Sequence, residues 1–246
     1  MHDLIYGRSA VYETLRAGRR QLFGLQVAEA ARPAGRLSQI LELAATRKLK
    51  VTRIPNLKLP GSEVNHQGVA LEAGPYPYAD LADILERAQG QNERPFVLIL
   101  DSLQDPQNLG SLLRTAEVTG VHGVVMPLAR SVDVTPAVVN ASSGASEHLL
   151  IAQSNLAQAI DRLKEQDVWI VGLDQAGQVL EGSMQKHLGG ALGLVVGSEG
   201  EGLHDLTRKR CDILLQLPMR GRIESLNAAV AGSVALYLAY MHREQA

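Results

Sequence analysis

Three short stretches hold the residues of this chain whose types and spacing could do chemistry. Residues 100–120 (LDSLQDPQNLGSLLRTAEVTG) carry Asn108 and Arg114 beside Gly110. An Asn side chain both donates and accepts, which suits a sugar hydroxyl, and the five N–H groups of a guanidinium suit phosphate. Asp105 followed by Pro106 also reads as a helix start, so a capped helix with two surface polar residues explains the same letters. Residues 194–203 (LVVGSEGEGL) place three glycines, Gly197 among them, in a turn after an apolar run. A ligand can approach such a backbone closely, but a tight strand-to-helix turn has the same composition. The spacing does not fit G-x-G-x-x-G, and Glu199 and Glu201 would repel a pyrophosphate. A neutral adenosine bearing a sulfonium meets no such conflict. Residues 216–240 run from Leu217 and Pro218 through a basic loop (Arg220, Arg222) to Ser225-Leu226-Asn227 and a helix of small apolar residues. Ser225 is a plausible N-cap there, and the alanines suit close helix packing.

These stretches need a frame, and the apolar runs supply one. FVLILD, GVVMP, VWIVGLD and LGLVVGS are short, continuous and rich in Val and Ile, with helical stretches between them. Strands apolar on both faces belong to a sheet covered on both sides, so residues 95–246 read as an α/β domain with a mostly parallel sheet. Ligand sites in such sheets lie outside the carboxyl ends of the strands, where all three stretches fall. Residues 1–73 follow another pattern: helices over 5–17 and 37–47, strands over 23–28, 49–54 and 67–73. Residues 74–94, with GPYPY, a short helix over 81–88 and the breaker GQNERP, read as a linker.

Charge divides along the same lines. Residues 1–73 hold eleven Lys and Arg against six Asp and Glu, a balance of +5, whereas residues 95–246 hold eleven against sixteen, a balance of −5. A basic module joined to an acidic one fits a polyanion-binding head, although mixed surface charge can do no more than maintain solubility. No apolar run approaches the roughly 20 residues of a membrane span. The first residues lack the pattern of a signal peptide, and a single Cys211 fits a reducing, cytoplasmic setting. Cys211 has no second Cys, and the seven His are scattered, so no metal site is expected.

Taken together and in this order, the three stretches resemble the signature motifs of the SpoU family of RNA ribose 2′-O-methyltransferases. The first matches D-P-x-N-x-G-x-x-x-R-T-A with Asp105-Pro106, Asn108, Gly110 and Arg114-Thr115-Ala116. The second matches G-x-E-G-x-G with Gly197, Glu199, Gly200 and Gly202, and the third matches P-M-x-G-x-x-x-S-L-N with Pro218-Met219, Gly221 and Ser225-Leu226-Asn227. IYGRSAVYETL and NHQGVALEA are similar to the small L30e-like RNA-binding domain that precedes the catalytic domain in one branch. That branch methylates a guanosine in the peptidyl-transferase loop of bacterial 23S ribosomal RNA. Departures are mild: Ala228-Ala229 stand where relatives often have Val-Ser, and Leu217 where Ile is common.

The resemblance implies an α/β fold with a carboxyl-terminal trefoil knot, a rare exception to unknotted topology. It further implies S-adenosylmethionine as cofactor and a homodimer with its sites at the interface. Backbone at Gly197, Leu217 and Leu226 would hold the adenosine part; Asn108 and Ser225 would orient the ribose and the first helix; Asn227 and Glu199 would fix the surrounding loops. Arg114 is the family's proposed proton acceptor, assisted by an RNA phosphate. A guanidinium normally stays protonated, so stabilising the developing alkoxide is an equally sound role. Other readings are an RNA-binding module without catalysis, a transfer-RNA ribose methyltransferase and, against the glycine spacing, a nicotinamide oxidoreductase.

Overall fold

The computed structural model describes residues 2–59, 65–129, 131–198, 200, 202–223 and 225–243. They form two compact units: residues 1–77 with 133–148, and residues 78–132 with 149–246.

In the first unit, four strands lie in the order β1-β4-β2-β3: β1 (Asp3–Tyr6), β2 (Leu22–Ala28), β3 (Val51–Ile54) and β4 (Val69–Ala73). Helices α1 (Arg8–Ala17) and α2 (Arg36–Thr46) pack together, and Ile5, Val11, Leu15, Leu25, Leu37 and Ile40 are fully buried. The expected helix over residues 5–17 is instead a strand and a shorter helix. Gly7, at φ +88°, turns the chain between them, a conformation that favours glycine.

The division of the chain differs from the sequence expectation in two places. Residues 133–148, with α5 (Pro136–Ala141) and a 3-10 turn (Ala145–His148), belong to the first unit. The reason is ionic. The Arg20 guanidinium, fully buried, donates from Nη2 to Glu147 Oε1 at 2.8 Å and from Nε to Glu147 Oε2 at 2.9 Å. Its Nη1 donates to Asp3 Oδ2 at 2.7 Å and to the Gly74 carbonyl at 3.1 Å. Tyr76 lies under Arg20, its ring centroid 5.2 Å from the guanidinium carbon, and its hydroxyl donates to the Ser146 carbonyl. Burial pushes the Tyr76 phenol up to about 12. Asn140 Nδ2 adds a bond to the Tyr6 carbonyl at 3.0 Å.

Residues 74–94, expected as a linker, are the second difference. They include α3 (Leu81–Gly90), opened by a reciprocal capping box between Asp80 and Asp83, which satisfies donors at both places. Leu81 and Ile84 join the apolar core of the second unit with Val97, Ile99, Val125 and Ile160.

The second unit carries a six-stranded sheet in the order β10-β8-β9-β5-β6-β7, with every pair parallel. Its strands are β5 (Phe96–Leu100), β6 (Gly123–Pro127), β7 (Leu150–Ser154), β8 (Trp169–Val179), β9 (Leu192–Val196) and β10 (Ile213–Gln216). All five residues of β5 and of β9 are buried, as continuous apolar runs in a covered parallel sheet must be. Helices α4 (Pro106–Val118), α6 (Leu156–Lys164), α7 (Asp205–Arg208) and α8 (Ala228–Arg243) complete the unit. The expected stop of β8 at Asp174 is replaced by a strand that resumes to Val179: its pairing with β10 jumps from Gly172↔Leu214 to Gln178↔Leu215, leaving residues 173–177 bulged out.

Candidate active site

Strand order decides what meets at the sheet's carboxyl edge. The ends of β5 and β9 are neighbours, with Leu100 opposite Val196, so the loops that follow them rise side by side. The backbone N–H of Asp101 donates to the Val196 carbonyl at 2.8 Å. The buried Asp101 carboxylate then accepts from the backbone N–H of His204 and faces His204 Nδ1, each at 2.9 Å. One side chain thus staples the start of the first loop to the far end of the second. Between those ends, Ser198 and Gly202 exchange two backbone hydrogen bonds, 3.0 and 3.2 Å. That closure brings Gly197 and Gly202 together: a Cβ on Gly197 would stand on the Gly202 carbonyl and 2.7 Å from the Leu203 nitrogen.

The first loop ends in α4, whose N-cap is Asp105. Its side chain accepts from the amides of Gln107 and Asn108, and Pro106 takes the first turn, as the sequence predicts. The third loop ends in α8. Asn227, not Ser225, caps that helix: its Oδ1 accepts from the Val230 amide at 3.1 Å, and its carbonyl from the Ala231 amide. Ser225 stands two residues too early to reach the first turn. The amide of the same Asn227 side chain donates to Asn108 Oδ1 at 3.1 Å, so one residue caps α8 and ties it to α4. Further along, Thr115 Oγ1 and Ser233 Oγ lie 2.9 Å apart. Gly232 lets the helices close, since a Cβ there would meet Leu112 and Val196 at 2.8 and 3.0 Å.

These contacts frame a pocket of about 460 Å³, within the ~300–1,000 Å³ of small-molecule sites. Gly197, Leu217, Ser225, Leu226 and Asn227 line it, as do Leu173 and Asp174 from the bulge in β8. Asn108 is joined to the pocket through Asn227. Arg114 does not line it and lies exposed on α4. Glu199 lies outside the described residues. Sequence reasoning missed Asp101, Asp174, His204 and Arg208. Asp101, an acid closing a buried apolar run, was the one with a readable signal. Among the described residues no three His, Cys, Asp or Glu side chains group as a metal site, and no helix is long and apolar enough to cross a membrane.

Comparison with known proteins agrees with this arrangement. The sequence profile of the SpoU rRNA methylase family matches residues 95–237, and that of the RNA 2′-O ribose methyltransferase substrate-binding domain matches residues 4–79. YacO of Bacillus subtilis, whose name places it among TrmH-family tRNA/rRNA methyltransferases, is 41% identical over 98% of this chain and 96% of its own. A similarly named Staphylococcus saprophyticus protein is 39% identical over the same shares. Among solved structures, the SpoU methyltransferase AviRb of Streptomyces viridochromogenes, crystallised with the cofactor AdoMet, superposes with a TM-score of 0.81. It is 24% identical, over 100% of this chain and 92% of its own. The chain belongs to the SpoU family of RNA methyltransferases. Its fold is the family's: a separate amino-terminal domain before a parallel-sheet α/β domain of the trefoil-knot class.

Proposed function

We propose that this protein methylates the ribose 2′-hydroxyl of a guanosine in the peptidyl-transferase loop of 23S ribosomal RNA, with S-adenosylmethionine as the methyl donor. The observation that carries the methyl transfer is the Asn227–Asn108 bond, which joins the first motif's helix to a pocket walled by the second and third motifs, and the choice of RNA rests on the substrate-binding domain matched over residues 4–79. The pocket fits the donor. Leu173, Leu215 and Leu217 offer apolar wall to a base, and the close approach of Gly197 to Gly202 leaves backbone where a side chain would intrude.

The donor supplies a methyl group on a positively charged sulfur, already activated toward an oxygen nucleophile. What remains for the protein is alignment and charge. Backbone at Gly197, Leu217 and Leu226 holds the adenosine. Asn108 and Ser225 orient the ribose. Asn227 and Glu199 keep the loops in register, and Arg114, exposed on α4, meets the RNA and steadies the alkoxide as its proton leaves. The basic head, residues 1–73, supplies affinity for the RNA backbone.

The working form is a homodimer. Val230, Val234, Tyr237 and Met241 lie 41–49% exposed along α8, and an apolar stripe of that kind is more at home under a partner subunit than in water. Transfer RNA is the competing substrate, since the relatives' names span both RNAs. Mapping 2′-O-methyl groups across total RNA, with and without the gene, tests the reading. Loss at one large-subunit guanosine supports it; loss in a transfer RNA, or none, refutes the substrate.

A further inference from the structure

The third motif, P-M-x-G-x-x-x-S-L-N, leaves several positions open, and this chain fills two of them, Arg220 and Arg222, with arginine. Both belong to the rim of the pocket, since Met219 and Ser225, on either side of them in the chain, are lining residues. Residues 220–223 are all exposed. The loop stands clear of the rest of the chain: a Cβ on Gly221 would meet only the Ile223 nitrogen, at 3.9 Å. Among the described residues neither guanidinium makes a hydrogen bond or an ion pair; Glu224, the acid of this loop, lies outside them. Other arginines of the same unit differ. Arg208 is held by the Asp174 carboxylate, Arg210 by that of Asp161 and Arg243 by the Arg94 carbonyl. Those three serve the fold, and Arg220 and Arg222 do not.

Charge says what the pair is for. Residues 95–246 carry a balance of −5, and Glu199 and Glu201 alternate in sequence with Gly200 and Gly202, which line the pocket. An RNA strand approaching such a domain is repelled unless cations meet it at the point of reaction. The methyl acceptor is a ribose within a strand, with a phosphate on each side of it. A guanidinium offers phosphate a matching fork of donors, and holding those phosphates places the ribose over the pocket, where alignment is what the reaction requires. We propose that Arg220 and Arg222 grip the phosphates flanking the target ribose and are RNA-positioning residues of this enzyme. The inference rests on the RNA methyl transfer proposed above, not on which RNA is the substrate.

Steady-state methylation of total RNA from cells lacking the gene tests the assignment, with Arg220→Gln, Arg222→Gln and the double variant. Each phosphate contact to single-stranded nucleic acid adds about −0.7 to the slope of log affinity against log salt, which makes one contact worth about fourfold at about 0.15 M salt. The kcat/KM for RNA should therefore fall about fourfold in each single variant and about fifteenfold in the double one. Its salt dependence should become shallower by about 0.7 per arginine. Arg220→Lys and Arg222→Lys keep the charge and should keep the parental slope. Affinity for S-adenosylhomocysteine, by calorimetry on the full chain, should stay within about twofold of the parent in every variant, as one lost RNA contact requires. Arg162→Gln controls for net charge: it removes an exposed cation from the last turn of α6, at the opposite edge of the sheet, and should change neither kcat/KM nor slope. Parental kcat/KM and slope in the double variant would overturn the proposal. So would equal losses in Arg162→Gln, the mark of bulk charge, or weakened donor binding, the mark of a loop that only shapes the pocket. A parent protein that transferred no methyl group to any RNA would instead refute the function proposed above.

Discussion

Gly197→Ala puts the geometry of the glycine loop to a quantitative test. The added methyl would stand on the Gly202 carbonyl and 2.7 Å from the Leu203 nitrogen. Both neighbours are backbone, so no side chain can rotate away. Relief requires Gly197 and Gly202 to part, which breaks the two hydrogen bonds between Ser198 and Gly202. At about 0.5–1.5 kcal/mol each, the pair is worth roughly 2 kcal/mol. If the closed loop is the form that binds the donor, that cost appears in affinity, as a dissociation constant about thirtyfold higher. Gly200 supplies the control. It sits at φ +90°, and a methyl added there would find nothing within 4 Å, so Gly200→Ala meets only backbone strain of roughly 1 kcal/mol, about fivefold in affinity. Calorimetric titration with S-adenosylhomocysteine measures both, and melting of the unliganded proteins checks that the fold survives. Gly197→Ala binding within twofold of the parent, or Gly200→Ala proving the worse, would refute the reasoning.

Three further outcomes follow from contacts described above. Arg20→Met leaves the buried Glu147 carboxylate without its partner and should destabilise the first unit by about 3–5 kcal/mol; hydrogen exchange should then report lost protection in residues 133–148 while S-adenosylhomocysteine binding persists. Asn227→Ala removes the α8 cap and the bond to Asn108. It should cost about 1 kcal/mol of stability and lower turnover more than donor affinity, whereas Asn227→Asp, which restores the cap alone, should recover stability without turnover. His122 accepts from the Phe96 amide at Nδ1, and burial lowers its pKa below 6.5. The unfolded chain therefore binds that proton more readily than the native one, so stability should fall as pH drops below about 6.5, and His122→Gln should flatten that part of a melting-temperature profile.

The sequence revealed what local pattern can carry. Buried strands β5, β6 and β9 announced themselves as continuous apolar runs, and the Asp105-Pro106 start of α4 was visible because a cap is written within four residues. Contacts that depend on distant partners were not legible. Arg20 looks like any other arginine until Glu147, 127 residues later, folds against it, so residues 133–148 could not be assigned to the first unit from sequence. The linker reading of residues 74–94 failed for the same reason, since Leu81 and Ile84 show their role only beside Val97 and Val125. β7 went unread because only its middle is fully buried, Ile151 and Ala152, which leaves no long apolar run. At the site, motif spacing named five residues that line the pocket, Gly197, Leu217, Ser225, Leu226 and Asn227, but also named Arg114, which does not, and it misplaced the α8 cap by two positions. It also gave no sign of Asp174 and Arg208, which meet only because β8 bulges before it rejoins β10.

In the proposed reaction, three loops hold an activated methyl group beside a sugar oxygen. The most direct test is to incubate the purified protein with S-adenosylmethionine labelled in the methyl group and 23S ribosomal RNA from cells lacking the gene, then digest the product with alkali. Label is expected in a single alkali-resistant dinucleotide, because only a methylated 2′-oxygen blocks cleavage of the neighbouring phosphodiester. Label released in mononucleotides would place the methyl group on a base and contradict the mechanism, as would RNA that takes up no label at all.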